Sequence, residues 1–200
     1  MGKRNDLLGN VLKRRECWQA MNLSEKKFRL WELTGFLLVT VFGSLLHFLY
    51  DAAGKSQVAA LFSPVNESTW EHLKLLYVPF VLFSLVEFLV IGKKQGERFI
   101  PAKVFGLLFG MFVIVASFYT YVGIVGTNFL WADILTFVLG VAAAFRYSEK
   151  WMANHKGGKG ALVAALTLLV VLIVCFVVFT WKAPHIGLFL DPVTKTYGIS

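Results

Sequence analysis

The chain has 200 residues, 57% hydrophobic and only 16% charged, with a mean hydropathy of +0.66 and a formal net charge of +8. Soluble domains carry about 25% charged residues, so this composition excludes an ordinary soluble globular fold. Long uncharged runs hold the excess, each close to the ~20 residues that cross the hydrocarbon of a bilayer.

These runs predict an all-α polytopic membrane protein, a bundle of five transmembrane helices at roughly 30–50, 73–91, 102–123, 129–147 and 161–181. No water reaches the hydrocarbon core, so each span must pair its own backbone groups as a helix, and the absence of period-2 alternation argues against a barrel. Residues 1–29 read as a basic cytoplasmic segment and residues 182–200 as an extracytoplasmic tail. The first span is expected to be a retained anchor, since a polar-rich stretch precedes it and no small-residue cleavage site follows. Cys17 and Cys175 fall in different compartments of this topology and are expected to form no disulfide.

The basic residues set the orientation. All of the 20 Lys and Arg except Lys55, Lys74, Lys182 and Lys195 lie in the N-terminal segment and the second and fourth connections. The positive-inside rule then puts the N-terminus in the cytoplasm and the C-terminus outside, in a multi-pass protein. Trp31 and Trp151 mark the inner boundary, and Trp70, Trp131 and Trp181 the outer one. The positive charge is explained by topology and anionic lipid, which makes the bilayer the expected partner and nucleic acid not one.

Residues 6–21 place Leu7, Leu8, Val11, Trp18 and Met21 on one side of a helix, which suits an amphipathic segment on the inner leaflet. Glu32 and Glu87 lie near the inner ends of the first two spans. They read as snorkelled carboxylates beside Arg29 and beside Lys93 and Lys94, or as two sides of a cytoplasmic vestibule. His47 and Asp51 are spaced i, i+4, so a continuous helix would let the carboxylate fix the imidazole tautomer.

The loop Leu61–Lys74, LFSPVNESTWEHLK, is dense in Pro, Asn, Glu, Trp and His just before the second span. Ser68 through Glu71 reads as a capping box. Glu67 and Glu71 are four apart and need a positive group between them, which Lys74, His72 or a metal can supply. Pro79 interrupts the hydrogen bonding of the second span. Gly106 with Gly110, and Gly140 with Ala144, favour close helix packing. Asp133 falls about a turn inside the outer boundary and needs a hydrogen-bonding neighbour such as Tyr119 or Tyr121, or a polar cavity. The tail is punctuated by Pro184, Gly187, Pro192 and Gly198, and Asp191-Pro192 favours a turn. It is expected to fold over the outer face and to bring His185 to the mouth of the bundle.

On this topology His47, Asp51, Asn66, Glu67, Glu71, His72, Asp133, His185 and Asp191 share the outer side. His47, His72 and His185, with Asp133, are candidate ligands for Zn²⁺ or another divalent metal, and Glu67, Glu71 and Asp133 are candidate general bases. No HExxH, HxxEH or CxxC spacing accompanies them, so a hydrogen-bonded structural cluster stands as the alternative. Function therefore reads as an outward polar pocket for a metal or small ligand. A metal-dependent hydrolase of lipid or envelope substrates, or a small transporter or proton path using Glu32, Glu87 and Asp133, stands beside it.

HFLYD (His47–Asp51), FSPVNESTWEHLK (Phe62–Lys74), the YTYVGIVG turn with Asp133-Ile134 after it, and PHIGLFLDPVTKTYGI (Pro184–Ile199) together resemble a family of small bacterial membrane proteins described as a domain of unknown function. The resemblance covers nearly the whole chain from the first span onward. It implies five helices and a bacterial cytoplasmic membrane, and brings no activity with it. A looser analogy holds with ceramidase and adiponectin-receptor hydrolases through Ser44, His47 and Asp133. Those enzymes have seven helices and a His-x3-His pair that this sequence lacks.

Overall fold

The computed structural model describes Lys26 and residues 28–199. The amphipathic segment expected at residues 6–21, and Cys17 within it, lie outside the described residues. The chain divides into two compact units, Met1–Thr34 and Gly35–Ser200. In the first unit Glu32 is buried.

The described residues are helical and contain no strand, only a single bridge between Leu190 and Tyr197. Helix α1 (Phe28–Leu46) is followed by the short α2 (Leu49–Ala52), α3 (Gln57–Phe62) and α4 (Thr69–His72). Then come α5 (Lys74–Val90), a 3-10 turn (Gly92–Arg98), α6 (Phe99–Val125), α7 (Leu130–Asn154), α8 (Lys159–Trp181) and a 3-10 turn (Gly187–Phe189). Among these, 5 helical runs are long and apolar enough to cross a membrane: Phe28–Leu46, Thr69–Val90, Gln95–Val125, Leu130–Asn154 and Lys159–Trp181. The first ends short of the expected boundary because His47 and Phe48 form a turn, where the Phe48 amide reaches the Leu45 carbonyl at 3.2 Å.

Helices α6 and α7 pack most extensively, and their small residues explain it. A Cβ at Gly106 would stand 2.6 Å from the Ala144 carbonyl oxygen, and one at Gly110 the same 2.6 Å from that of Gly140. The two small-residue motifs thus face each other inside one chain, where glycine lets the backbones close. Pro79 sits within α5, which continues through it. Having no N–H, it leaves the Leu75 carbonyl without its usual helical donor. That oxygen lies against Gly43 of α1, where any side chain would collide with it.

The tail folds back on the bundle. Phe189 is buried and packs with Trp70 and Phe179 at ring-centroid separations of 5.0 and 5.2 Å. Trp70 also meets Phe176 at 4.8 Å, so it anchors the tail rather than serving only as a boundary residue. Asn66 Nδ2 donates to the Gly198 carbonyl at 2.9 Å, and the Ile199 amide to that of Thr180 at 3.0 Å.

Candidate functional site

The loop before α5 separates its two carboxylates by giving each its own partners. Ser68 caps α4, its hydroxyl accepting from the Glu71 amide at 3.4 Å. The reciprocal half of the expected box is absent, because the Ser68 amide donates to Asn66 Oδ1 at 3.0 Å. Glu71 instead turns inward, where Lys74 Nζ donates to its Oε2 at 2.6 Å and the Val65 amide at 3.1 Å. Lys74 also donates to the Ala60 carbonyl at 2.8 Å and to Thr180 Oγ1 at 2.7 Å. Both charged side chains are buried. An ion pair survives burial only when its remaining donors and acceptors are met, and here they are. Glu71, a candidate base on sequence, is thereby engaged in joining the loop to α8.

Glu67 points the other way and stays half exposed. Its Oε2 lies 3.4 Å from His72 Nε2, and its Oε1 lies 4.0 Å from His47 Nε2. The two imidazole centroids are 5.2 Å apart. His72 Nδ1 donates to the Ser68 carbonyl at 2.9 Å, which leaves the Nε2 edge toward Glu67. The His72 hydrogen bond, above all, holds the Glu67 carboxyl below the usual carboxylate range; its partial burial opposes this, and the nearby imidazoles reinforce it.

His47 has no hydrogen-bond partner among the described residues, and its buried Nδ1 is without one. The turn that ends α1 breaks the i, i+4 register with Asp51, which remains exposed on α2 and makes no contact with the ring that would fix its tautomer. The carboxylate nearest the ring is instead that of Glu67, 4.0 Å from Nε2.

Among the described residues, His47, Glu67 and His72 offer ligand atoms that all lie within 4.8 Å of one another. Tetrahedral zinc with ~2.0–2.1 Å bonds separates its ligand atoms by about 3.3 Å, so the Glu67–His72 pair already has that spacing and His47 needs a small inward shift. His185 is not part of the group; its ring stacks on Tyr197 at 4.5 Å.

A cavity of about 360 Å³ opens beside the cluster, lined by Glu67, His72, Asp133, Ile114, Phe118 and Phe137 among others. Asp133 is outside the ligand group but faces this same space. Tyr121 donates its hydroxyl to Asp133 Oδ1, and Asn128 Nδ2 donates to Oδ2 at 3.0 Å. Tyr119 donates instead to the Gly187 carbonyl at 3.2 Å. Pro192 and Val193 of the tail complete the wall. They are positioned by Asp191, whose Oδ1 accepts from the Val193 amide at 2.8 Å and whose Oδ2 accepts from Thr194 Oγ1 at 2.8 Å. Burial pushes the Asp191 carboxyl up, but these bonds and one from the Glu67 amide outweigh it and hold it below the usual range.

At the opposite end of the bundle Glu87 is fully buried, and Lys103 of α6 stands 2.7 Å from its Oε2. Lys103 Nζ also lies 5.3 Å from the Phe145 ring centroid. The partner expected among Lys93 and Lys94 is thus a residue of the next helix, reached through the fold rather than along the chain.

Fold and site together define an all-α protein with candidate membrane-spanning helices and a His/Glu cluster able to hold a metal ion. The chain belongs to DUF6512, a family of unknown function, which matches residues 19–199. No curated protein and no solved structure matches it.

Proposed function

We propose that this is a multi-pass protein of a bacterial cytoplasmic membrane, N-terminus inside, whose outer face binds a divalent transition metal such as zinc. His47, Glu67 and His72 are the ligands, and the adjoining cavity leaves a coordination position for water or a small ligand. One observation carries the reading. His47 brings a ring nitrogen toward Glu67 yet makes no hydrogen bond to the described residues, so a finished hydrogen-bonded cap does not account for it. The Ser68 carbonyl on His72 Nδ1 supports the same reading, since metal-bound imidazoles commonly anchor their second nitrogen in this way.

The test is elemental analysis of the protein purified without a histidine tag, with His47→Ala and His72→Ala alongside. Near-stoichiometric metal in the parent and its loss in both variants is the expected result. A parent that stays metal-free after reloading with zinc overturns the proposal.

Asp133 favours a second reading, metal-dependent hydrolysis of a lipid or envelope substrate. Its carboxylate is held by Tyr121 and Asn128 on the wall of the same cavity, which apolar Ile114, Phe118 and Phe137 also line. That combination suits an amphiphilic ester: a metal held by His47, Glu67 and His72 would supply a Lewis acid for the ester carbonyl and an activated water, while Asp133 would take the proton the water gives up and pass it to the alkoxide that leaves as the acyl C–O bond breaks. Release of fatty acid by the zinc-loaded protein, abolished in Asp133→Asn with metal content intact, tests it.

A further inference from the structure

We propose that a second, separate site on the flank of the bundle holds an acyl chain of an anionic phospholipid. Helix α6 packs against both α5 and α8, whereas α5 and α8 make little contact with one another. They meet near the loop end, where the Tyr77 and Phe176 ring centroids are 4.7 Å apart. Further along, a cleft of about 270 Å³ lies between them, floored by α6. Val81, Leu85 and Phe88 form one wall, Ile100 and Leu107 the floor, and Leu166 and Leu169 the other wall. Leu85 and Leu166 are well exposed at the lips, so the cleft opens sideways among apolar helix faces. Its surface is almost wholly apolar, since Lys103 and Ser84 contribute little polar area.

Water gains nothing in such a space, and an unfilled cleft forfeits the dispersion contacts of its lining. An acyl chain entering from the surrounding lipid supplies them. Charge selects which lipid. The Phe88 and Phe99 rings, 5.6 Å apart, lie at the cleft end nearest the Gly92–Arg98 turn. That turn presents exposed Lys93 and half-buried Arg98. The α7–α8 connection packs directly on it, for a Cβ at Gly157 would stand 2.7 Å from the Arg98 amide nitrogen. This contact brings exposed Lys156 and Lys159 to the same end, where Glu97 is the opposing carboxylate. The basic residues outnumber it, which matches a negatively charged headgroup above a buried chain.

The test is native mass spectrometry of the full-length protein in a non-ionic detergent, titrated with phosphatidylglycerol and with phosphatidylcholine of matched acyl chains. The wild type should retain phosphatidylglycerol preferentially as a one-to-one adduct. Leu166→Trp, which fills the cleft from its lip, should lose both lipids. The double variant Lys93→Glu, Lys159→Glu should keep chain binding but lose the headgroup preference, by roughly fivefold for each lysine. Equal retention of the two lipids by the wild type overturns the proposal, as does undiminished binding by Leu166→Trp. Should Leu166→Trp fail to fold, the double variant decides alone, because both lysines are exposed; an unchanged headgroup preference there overturns it. Metal content is unaffected in every arm, so the outcome is independent of the His47–Glu67–His72 reading.

Discussion

Glu67 and His72 meet at 3.4 Å through atoms that both carry lone pairs when the imidazole is neutral and protonated on Nδ1. Something positive must stand between them, a proton on Nε2 or a metal ion. Replacing either partner separates the two cases. Glu67→Gln keeps the shape but weakens a metal site, and we expect at least a tenfold loss of zinc affinity, on the order of 1.4 kcal/mol. Competition with a chromophoric chelator measures it. Unchanged affinity assigns the pair to a proton.

Chelation provides a companion prediction. If zinc joins α1 to the loop before α5 through His47 and His72, its removal loosens that junction. The thermal midpoint of the zinc-loaded protein should fall on adding a chelator and recover on zinc return, whereas His47→Ala should show no chelator response.

Lys74 and Glu71 form a buried pair whose partners come from the loop and from α8. Lys74→Met leaves Glu71 charged in an apolar setting, and loss of about 3–5 kcal/mol is expected. The double change Lys74→Met, Glu71→Leu should recover much of it. Unfolding in a denaturing detergent titration reads both; equal damage in single and double variants contradicts the ion-pair account.

Asp191 governs the tail through charge. Its carboxyl is held below its ordinary value of 3.8 in the folded chain. Stability from this group is therefore fully present above that value and is lost as the pH falls through the depressed one. Hydrogen exchange at the Val193 and Thr194 amides should stay slow from neutral pH down to about pH 4 and accelerate below it. Asp191→Ala should exchange rapidly throughout. Parallel pH profiles for the two proteins count against this role.

Close packing of α6 and α7 makes a contrast between two glycines. Gly110→Ala drives a methyl toward the Gly140 carbonyl and should destabilise by about 1–3 kcal/mol. Gly123→Ala meets nothing within 4 Å and should leave stability unchanged or slightly higher. Thermal midpoints in detergent compare them.

The helices were legible because uncharged runs of that length have few other uses, whereas loop position put nine polar residues on one side without singling out His47, Glu67 and His72 or leaving out His185. Partner choice was harder to read. Asp51 looked correct for His47 only while α1 was taken to continue, and the turn at Phe48 has no breaker residue to signal it. Glu87 found Lys103 on another helix, at a separation that local spacing does not reveal. Thr180, which completes the shell around Lys74, looks in sequence like any small polar residue near a span end. A signal for the Lys74 network was nonetheless present: a lysine heading an apolar run, three residues after a glutamate, has little reason to sit there unpaired.

The pinned tail has a consequence for the order in which the protein is made. Ile199 packs against the cluster containing Ala60, whose carbonyl receives Lys74, and its amide closes on Thr180. Val193 walls the cavity beside Glu67 and His72. Both enclosures stay open until residues 193–199 have been made and have docked, with Lys74 and the paired imidazoles reachable by water, ions and proteases. The loop Leu61–Lys74 thus reaches its finished form only after a segment more than a hundred residues further along has docked on it. An ion that reaches His47, Glu67 and His72 before the tail docks would meet an open site, and one that arrives afterwards a walled one.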